Sequence, residues 1–491
     1  MTKIRKSVLG IILIVLLWSC QSEKTKQIEA DWLIANITVI DVETGDELPN
    51  SYVAIIGDSI SAVLDEQVTI QDTTKVIDGT GKYLIPSFWD MHAHVSFNHK
   101  YQQGLLVANG VAGVREMWGK MDIIDSIRQE TKKGNMIAPE IYTSSAIIGG
   151  DPPYWPGSDI VGNAEQAKSV LQNQANEGVD FFKIYSLLNK DAYMAIAEES
   201  KRLGIPFAGH VPESVSLFQA IDAGQATTEH LMRFIPSCST AEEEFYGTAG
   251  LSSFVAEKIE RSLETFSQEK YDSLVQKLAK SDTWLVPTMV TKRGIAMATD
   301  TILLSVDPEI NPLIKFMPAH SVAVWKMMPQ FAEMKFGDGF FEANRKRYEK
   351  EMSLLGDMQD KGVKFLVGTD YANPHCYPGF SMHTEMQLLV EGGFSPFEAL
   401  QAATYNPALF FKKTNEMGTV ADGKVANLIL LNGNPREDIG NTETIEAVFL
   451  RGVYMDRNRL DGLIEESRAL AEKEINEVEL PGGMPIHMHM H

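Results

Sequence analysis

Two histidines stand one residue apart in the stretch WDMHAHVSF, residues 89–97. The preceding run, residues 82–88, predicts an incoming β-strand, and side chains alternate between the two faces of a strand. His92 and His94 therefore point to the same side, where two imidazoles can bind one metal ion. The pair alone also fits two unrelated histidines at the end of a strand.

Four further side chains able to bind a metal follow other short apolar runs. They are Lys183 in DFFKIYS, His210 in FAGHV, His230 in TTEHL and Asp370 in LVGTDY. In a (β/α)8 barrel the C-terminal ends of the strands meet at one rim, where the catalytic groups lie. Each residue alone has an ordinary structural explanation, but their common position after predicted strands indicates a metal site.

The elements that must position these residues alternate between strands and helices. Residues 85–415 contain eight short apolar runs separated by amphipathic segments, which predicts an α/β fold of the (β/α)8 TIM-like barrel type. Short β-runs in residues 31–84 and 416–460 predict a small β-sandwich domain built from both flanks of the barrel. The long intervals 238–283 and 292–362 predict extra helices or a lid.

The order of these motifs resembles the amidohydrolase superfamily, with HxH, Lys, His, His and Asp in the flanks GVAGVRE, GVDFFKIY, GHVPESVSLFQAIDAGQATTEHL and GTD. The chain is most similar to the branch of imidazolonepropionase-like enzymes and amidohydrolase-type Xaa-Pro dipeptidases. The sequence differs from the family's usual motifs at two places, which leave membership of the superfamily unchanged but make the substrate harder to predict. The usual Ala-Asp-Leu of the last motif is Ala426-Asn427-Leu428, and IIGGDPPYWPG lacks a glycine-histidine turn.

The resemblance implies a centre of two divalent metal ions, with zinc as the expected metal. His92, His94 and Asp370 would hold one ion, and His210 and His230 the other. Lys183 would bridge the two ions as a carboxylated lysine, a carbamate formed from CO₂. The alternative is an unmodified Lys183 and a mononuclear site.

Two residues are predicted to act on the substrate at this centre. Asp370 would accept the proton of the attacking water and deliver it to the leaving amine. Tyr185 lies two residues after Lys183, so it faces the same interior and could donate to the developing oxyanion. A buried tyrosine bonded elsewhere is the alternative for Tyr185.

A dipeptide or N-acyl amino acid carries a carboxylate that favours a cationic partner. The candidates near the predicted rim are Arg233, Lys292 and Arg293, with a surface position as the alternative for each. His375 could line the mouth of the site. His383, in SMHTEM, belongs to the family's signature after the barrel and would orient a loop or serve the structure.

The N-terminus predicts export. Lys3, Arg5 and Lys6 precede an apolar run at residues 8–18, which ends in Ser19 and Cys20. This resembles a bacterial lipoprotein signal peptide spanning residues 1–20, cut before Cys20, whose thiol is then lipidated; an ordinary secretory peptide is the alternative. Residues 21–30 are expected to be a linker, and the predicted location is the bacterial cell envelope, attached to the membrane only through the lipid anchor.

The composition limits the class of binding partner and the number of disulfides that the protein can have. The net charge of −22 argues against nucleic acid as a partner, and Cys238 and Cys376 make no disulfide framework.

Residues 461–491 predict an acidic helix and a tail ending in HMHMH, which could capture copper, zinc or nickel or be inert. The oligomeric state is left open.

Together these features predict an exported, metal-dependent amidohydrolase acting on carbon–nitrogen bonds. Its substrate would be the amide bond of a small peptide or N-acyl amino acid, as in a prolidase-like dipeptidase. The alternatives are hydrolysis of a cyclic amide, or of a lactone or ester, and a non-catalytic lipoprotein that binds a metal or ligand.

Overall fold

The computed structural model describes residues 27–97, 99–247, 255–298, 300–337, 339–371 and 373–473. The predicted signal peptide with Cys20, most of the predicted linker and the HMHMH tail lie outside the described residues. Among the helices of the described ranges, none is long and apolar enough to cross a membrane.

Strands and helices alternate through the middle of the chain and strands dominate both flanks. The strands are β1 (Gln27–Ile28), β2 (Trp32–Ile40), β3 (Glu47–Ile56), β4 (Ser59–Leu64), β5 (Thr69–Ile70), β6 (Lys75–Asp78), β7 (Tyr83–Pro86), β8 (Phe88–Ala93), β9 (Val111–Glu116), β10 (Glu140–Thr143), β11 (Ile148–Gly149), β12 (Asp159–Ile160), β13 (Phe182–Ile184), β14 (Phe207–Gly209), β15 (Thr227–Glu229), β16 (Trp284–Val286), β17 (Leu428–Leu431), β18 (Ile445–Leu450) and β19 (Val453–Asp456). The helices are α1 (His99–Ala108), α2 (Met121–Lys132), α3 (Ala164–Glu177), α4 (Lys190–Leu203), α5 (Leu217–Asp222), α6 (Phe234–Ser237), α7 (Ala256–Glu264), α8 (Gln268–Ala279), α9 (Met289–Ala296), α10 (Ala319–Phe336), α11 (Phe340–Asp360), α12 (Phe380–Glu391), α13 (Pro396–Ala403), α14 (Tyr405–Phe410) and α15 (Arg457–Lys473). Short 3-10 turns cover Glu242–Phe245, Pro312–Phe316 and Ile439–Glu443.

The central strands pair in parallel, as expected for an α/β fold. One sheet has the order β10-β9-β8, and a second has the order β12-β11-β13-β14-β15-β16. Parallel neighbours place their C-terminal ends at the same edge of a sheet, so residues that end β13, β14 and β15 become neighbours.

The predicted eighth strand, KFLVGTDY, is not a regular strand in the structure. A single bridge pairs Phe365 with Leu285 of β16. Two backbone hydrogen bonds then run to the other sheet: Met91 donates to Val367, and Asp370 donates to His92, at 2.9 and 2.8 Å. The segment thus contacts β16 on one side and β8 on the other, and its irregularity follows from changing partners along its length.

One antiparallel-rich sheet joins the two flanks of the chain. Its order is β19-β18-β17-β7-β2-β3-β4, with β6 added beside β2. The seam pairs β7 with β17, where Leu84 faces Leu430 and Ile85 faces Ile429. A buried cluster that includes Ile34, Val53 and Phe449 packs on this sheet, so strands from both ends of the chain share one core.

Helices α3 and α4 precede and follow β13, the strand that carries Lys183, and share its hydrophobic core. Asn163 caps α3 and Asn189 caps α4, each by accepting backbone N–H groups of the first turn. The apolar faces of these helices, including Leu171 and Ile196, pack in the same core as Phe182 of β13.

The extra helices predicted in the two long intervals are present. α7 and α8 lie in the first interval, and α9, α10 and α11 lie in the second. The predicted acidic C-terminal helix begins at Arg457, a few residues earlier than expected, and is described as far as Lys473.

Candidate metal centre

The end of β8 brings the two histidines of the HxH motif together. His92 and His94 are buried, and their ring centroids lie 5.5 Å apart. Both imidazoles face the segment that carries Asp370: His92 Nε2 lies 3.3 Å and His94 Nε2 3.0 Å from Asp370 Oδ1. The predicted side-by-side placement on one strand face is therefore what the structure has.

The geometry of these three residues fits a metal ion. One ligand atom from each of the three lies within 4.8 Å of the others. Two atoms bound about 2.0–2.1 Å from one ion lie roughly 3.0–3.4 Å apart, which matches the two His–Asp separations. The donor set of two imidazoles and a carboxylate suits zinc and similar divalent ions.

A glycine allows Asp370 to approach β8. A Cβ atom at Gly368 would lie 2.9 Å from His92 Cβ and 2.6 Å from Val286 Cγ1, so a larger residue would push the segment away from β8 and β16. Asp370 itself has φ +59°, which turns its carboxylate back towards the histidines.

His210 and His230 extend the cluster across the parallel sheet. The His92 and His230 rings lie 4.7 Å apart, and the His230 and His210 rings 5.1 Å apart. The four imidazoles therefore form a continuous group from β8 to β14. His94 stands at one end of it and His210 at the other.

Lys183 completes this group from β13. Its Nζ is buried and makes no hydrogen bond within the described residues. Gly209 leaves room for it, since a Cβ there would lie 3.0 Å from Lys183 Cδ. Burial lowers the pKa of Lys183 to about 8, which leaves a sizeable neutral fraction at pH 7 to 8, and only a neutral amine can add CO₂.

The second nitrogen of three histidines is held by a neighbouring side chain. The Nδ1 atom of His92 lies 2.8 Å from Glu229 Oε2. The corresponding partners are Ser186 Oγ for His210 and Thr288 Oγ1 for His230, each at 2.6 Å. Such contacts hold each imidazole ring in one orientation, as the outer partners of metal-binding histidines commonly do.

The buried carboxylate of Glu116 lies beside the HxH pair, on the other side from Asp370's contacts with Nε2. Glu116 accepts the backbone N–H groups of Ser96 and Trp118, and its Oε1 lies 3.6 Å from His94 Nδ1. Burial alone would lower the pKa of His94, but the carboxylates of Asp370 and Glu116 raise it to about 9. For His92 burial prevails and lowers its pKa to about 3.

Arg115 neutralises the acid that orients His92. Its guanidinium is fully buried and donates to Met91 O, Thr227 Oγ1 and Glu229 Oε1 at 2.7, 2.9 and 2.8 Å. Burial opposes ionisation of Glu229, but Arg115 and His92 lower its pKa to about 2. Glu229 is therefore an ionised carboxylate held between the permanent cation of Arg115 and the imidazole of His92.

Replacing Glu229 by glutamine should loosen the centre without removing a ligand. We expect zinc affinity to fall about 10–100-fold, the usual effect of losing a residue that orients a ligand. Stability should also fall by about 3–5 kcal/mol because Arg115 loses its buried counter-charge. Zinc competition with a chromophoric chelator and urea unfolding measure the two effects.

The matched control for this variant is Glu199→Gln on α4, where the acid is also buried but pairs with the exposed Arg202. Its zinc affinity should equal that of the wild type. A zinc affinity of Glu229→Gln equal to that of the wild type would contradict the orienting role of Glu229.

These supporting residues were missed in the sequence. Glu229 precedes His230, and strand alternation predicts opposite directions for neighbours. The structure departs from alternation because β15 ends at Glu229 and His230 has φ +59°. Glu229 therefore points inward from the strand while His230 reaches the centre from the turn.

Tyr185 is buried beside His210. Its ring stacks on that of His210, with centroids 4.0 Å apart, and Trp155 Nε1 donates to its hydroxyl at 3.0 Å. Burial raises the pKa of Tyr185 well above its ordinary value. The hydroxyl is therefore neutral, and in the contact with Trp155 its oxygen is the acceptor.

Arg233 and Lys292 lie beside the turn that carries His230. Arg233 is buried, with Nη1 3.5 Å from Glu213 Oε2 and donating to Phe245 O at 3.3 Å. Lys292 Nζ donates to His230 O at 2.8 Å and lies 2.8 Å from Glu351 Oε2. Lys292 thus braces the backbone of His230 through an ion pair with α11.

The other predicted substrate residues lie in two different places. Arg293 is half-buried on α9, where it acts electrostatically on Tyr348 and Glu385. His375 follows Asp370 closely in the chain, and its ring lies 5.1 Å from that of Trp325. Burial lowers the pKa of His375 to about 4, so its imidazole is neutral.

His383 lies near the opposite end of β8 from the centre. Its Nδ1 is 3.0 Å from Thr442 Oγ1, and its ring stands edge-on to Phe88, the first residue of β8. These contacts join α12 to the Ile439–Glu443 turn. They favour the structural alternative for His383.

The fold and this centre define a protein of the amidohydrolase type. The profile of the amidohydrolase family matches residues 187–455, more than half of the chain. The chain belongs to the amidohydrolase family, which confirms the family predicted from the motifs.

Relatives by sequence come from two groups. An adenine deaminase of Clostridium botulinum (strain Loch Maree / Type A3) is 41% identical over 454 residues, which cover 90% of this chain and 59% of that protein. A probable imidazolonepropionase of Homo sapiens is 38% identical over 101 residues, or 19% of this chain and 23% of that protein. The chain thus spans less than two thirds of the length of these relatives.

Solved structures share the fold at low sequence identity. Bottromycin amidohydrolase superposes with a TM-score of 0.71 and 20% identity, covering 89% of this chain and 90% of its own. A Xaa-Pro dipeptidase with bound methionine gives 0.62 and 18%, covering 87% of this chain and 99% of its own. The shared fold extends over nearly the whole described chain.

Proposed function

We propose that this protein is a metal-dependent hydrolase that cleaves the amide bond of a small peptide or N-acyl amino acid. The observation that carries the proposal is the convergence of His92, His94 and Asp370 with two further histidines and the buried Lys183 amine. Burying so many polar groups in one cluster is costly unless they bind something.

The residues fit two divalent ions, with zinc as the proposed metal. His92, His94 and Asp370 would hold one ion, and His210 and His230 the other, with Lys183 between them as a carbamate. Bound divalent ions supply Lewis acidity, which lowers the pKa of water and polarises a carbonyl. The histidine rings already fixed through Nδ1 support this ligand set.

The chain's own residues handle the proton and the developing charge. Asp370 would accept the proton of the attacking water and transfer it to the nitrogen of the leaving amine. Tyr185, held by Trp155, would donate a hydrogen bond from its hydroxyl to the developing oxyanion and keep its proton. The stacked position of Tyr185 on His210 supports this role.

Arg233 is the best-supported partner for a substrate carboxylate. Its Nε and Nη2 make no hydrogen bond within the described residues although the side chain is buried. Lys292 is instead engaged by Glu351 and by the backbone of His230. The structural likeness to a Xaa-Pro dipeptidase supports a substrate of this kind.

A second candidate function is hydrolysis of a carbon–nitrogen bond in a cyclic amide or amidine. The likeness to an adenine deaminase and to an imidazolonepropionase favours it. The same centre would also serve a lactone or ester. A non-catalytic lipoprotein that binds a metal or ligand is the alternative from another class.

A mixed substrate panel separates these candidates. The purified full-length protein, loaded with zinc in bicarbonate, is incubated with pooled dipeptides, N-acyl amino acids, adenine, an imidazolone and lactones, and each species is followed by mass spectrometry. Loss of a coherent subset of dipeptides or N-acyl amino acids supports the proposal. Loss of only adenine or cyclic compounds, or no loss with metal bound, overturns it.

We also propose that the parallel strands and the 364–370 segment close into a (β/α)8 barrel over residues 85–415. The hydrogen bonds from this segment to both β16 and β8 support closure. The shared sheet of both flanks supports a composite β-sandwich of residues 31–84 and 416–460.

The proposed location is the bacterial cell envelope, anchored through lipid on Cys20. Replacing Cys20 by serine in the full-length chain should abolish incorporation of labelled palmitate and move the protein from the membrane to the soluble fraction. Cys238→Ser, which changes a cysteine outside the signal, should leave both properties as in the wild type. Membrane attachment of the Cys20→Ser variant would contradict the anchor.

A further inference from the structure

A largely apolar cavity of about 210 Å³ lies between α9, α10 and the turn that follows Asp370. Its walls include Ile295 and Ala298 on the α9 side, Trp325, Met328 and Ala332 on α10, and Phe341 at the start of α11. The metal-binding candidates are absent from this lining, so the cavity is a compartment beside the centre.

The inner end of the cavity is built on the segment that carries Asp370. Asn373, which lines the cavity, donates to Asp370 O through its backbone N–H at 3.2 Å and its side-chain Nδ2 at 2.7 Å. Thr291, also in the lining, donates to Thr369 O at 2.9 Å. A group in the cavity therefore lies next to the backbone that holds the proposed base.

The outer end of the cavity reaches solvent. Asp300, Thr301 and Lys326 line it there, and all three are exposed. The cavity therefore has one polar, exposed end and one largely apolar end beside the backbone of Asp370. The polar rim and apolar interior are the usual composition of a small-molecule site.

The size of the cavity sets the size of its occupant. An apolar cavity of about 150 Å³ holds benzene, so a cavity of about 210 Å³ accepts a phenyl or a branched aliphatic group. The rings of Trp325 and His375, tilted by 40° to one another, form an aromatic wall on one side. The walls carry no cation deep inside, since Lys326 is at the exposed end.

We infer that this cavity is the specificity pocket for an apolar side chain, from leucine to phenylalanine in size, of the amide substrate. The inference rests on the proposed function, because it places the scissile bond at the metal centre. It assigns the cavity to the substrate rather than to the packing of α10 against α9.

Kinetics with matched substrates test the pocket. From the class hydrolysed in the panel, compounds that differ only in a phenylalanine, leucine or alanine side chain are compared by kcat/KM. The wild type should prefer phenylalanine or leucine over alanine by at least about tenfold. Ala298→Leu and Ala332→Leu, which fill the cavity from two sides, should each lower that ratio about tenfold.

Ala323→Leu is the control, because Ala323 lies exposed on the same helix outside the lining. It should keep the wild-type ratio. Ala332 is fully buried, so if that variant does not fold, the half-buried Ala298 position carries the comparison.

Binding of toluene tests the cavity without the reaction. Titration calorimetry of the full-length protein should detect one site, lost in Ala298→Leu and kept in Ala323→Leu. Toluene binding with no hydrolysis of any amide would overturn the proposed function but retain an apolar pocket here. Unchanged toluene affinity and an unchanged substrate ratio in Ala298→Leu would overturn the pocket itself.

Discussion

Asp370→Asn should reduce kcat by about 10²–10⁴-fold, the range expected when a general acid–base group is removed. Asp370 Oδ1 lies within 3.3 Å of both His92 Nε2 and His94 Nε2, and asparagine keeps an oxygen at this position. The variant can therefore retain much of its metal, but an amide cannot accept the proton of water. Steady-state kinetics gives kcat, and mass spectrometry of the same preparation gives the number of zinc ions per chain.

The control for Asp370→Asn is Asp282→Asn, an exposed acid far from any described metal-site contact. It should match the wild type in both measurements. Wild-type turnover by Asp370→Asn would contradict its role as the base. If the wild type shows no turnover and Asp370→Asn binds ligand as tightly as the wild type does, the alternative of a non-catalytic binding lipoprotein is supported instead.

Lys183→Ala should remove one of the two ions and lower kcat at least about 100-fold, more than the loss of a residue that merely orients a ligand. Lys183 Nζ is buried, interacts electrostatically with His92 and Asp370, and makes no hydrogen bond within the described ranges. Alanine leaves a space that a small carboxylate can fill. Added acetate or propionate should therefore restore part of the activity and the second ion.

Lys190→Ala, an exposed lysine at the start of α4, serves as the control and should behave as the wild type. One zinc ion per chain in both the wild type and Lys183→Ala, with similar turnover, would contradict the bridge. That result would support the mononuclear alternative with an unmodified lysine.

The sequence singled out candidate metal ligands because each stands at the end of a short apolar run. His92, His94, His210 and His230 were singled out in this way, and the structure brings their rings into one cluster. The order of these motifs along the chain also predicted the family, which the profile match confirms. Strand ends are visible in a sequence because burial and alternation are local properties.

The residues that orient the centre could not be predicted in the same way. Arg115 and Glu229 are separated by 114 positions, yet they form one buried ion pair. Nothing local to either residue specifies the other. The same holds for Lys292, whose partner Glu351 comes from a later helix of the same interval.

Backbone conformation accounts for the remaining differences. The eighth predicted strand is irregular because its residues bond first to β16 and then to β8. His230 and Asp370 both have positive φ, which periodicity arguments do not anticipate for non-glycine residues. These departures fall in the cluster of buried histidines and Asp370, and uncommon backbone conformations concentrate at functional sites.

Anomalous diffraction at the zinc absorption edge, from crystals of the zinc-loaded protein grown in bicarbonate, tests the proposed two-ion centre most directly. Two peaks are expected, one beside His92, His94 and Asp370 and one beside His210 and His230, with density for a carbamate on Lys183 between them. A single peak with an unmodified lysine would reduce the centre to one ion. The absence of any peak at these residues would contradict the proposed metal centre.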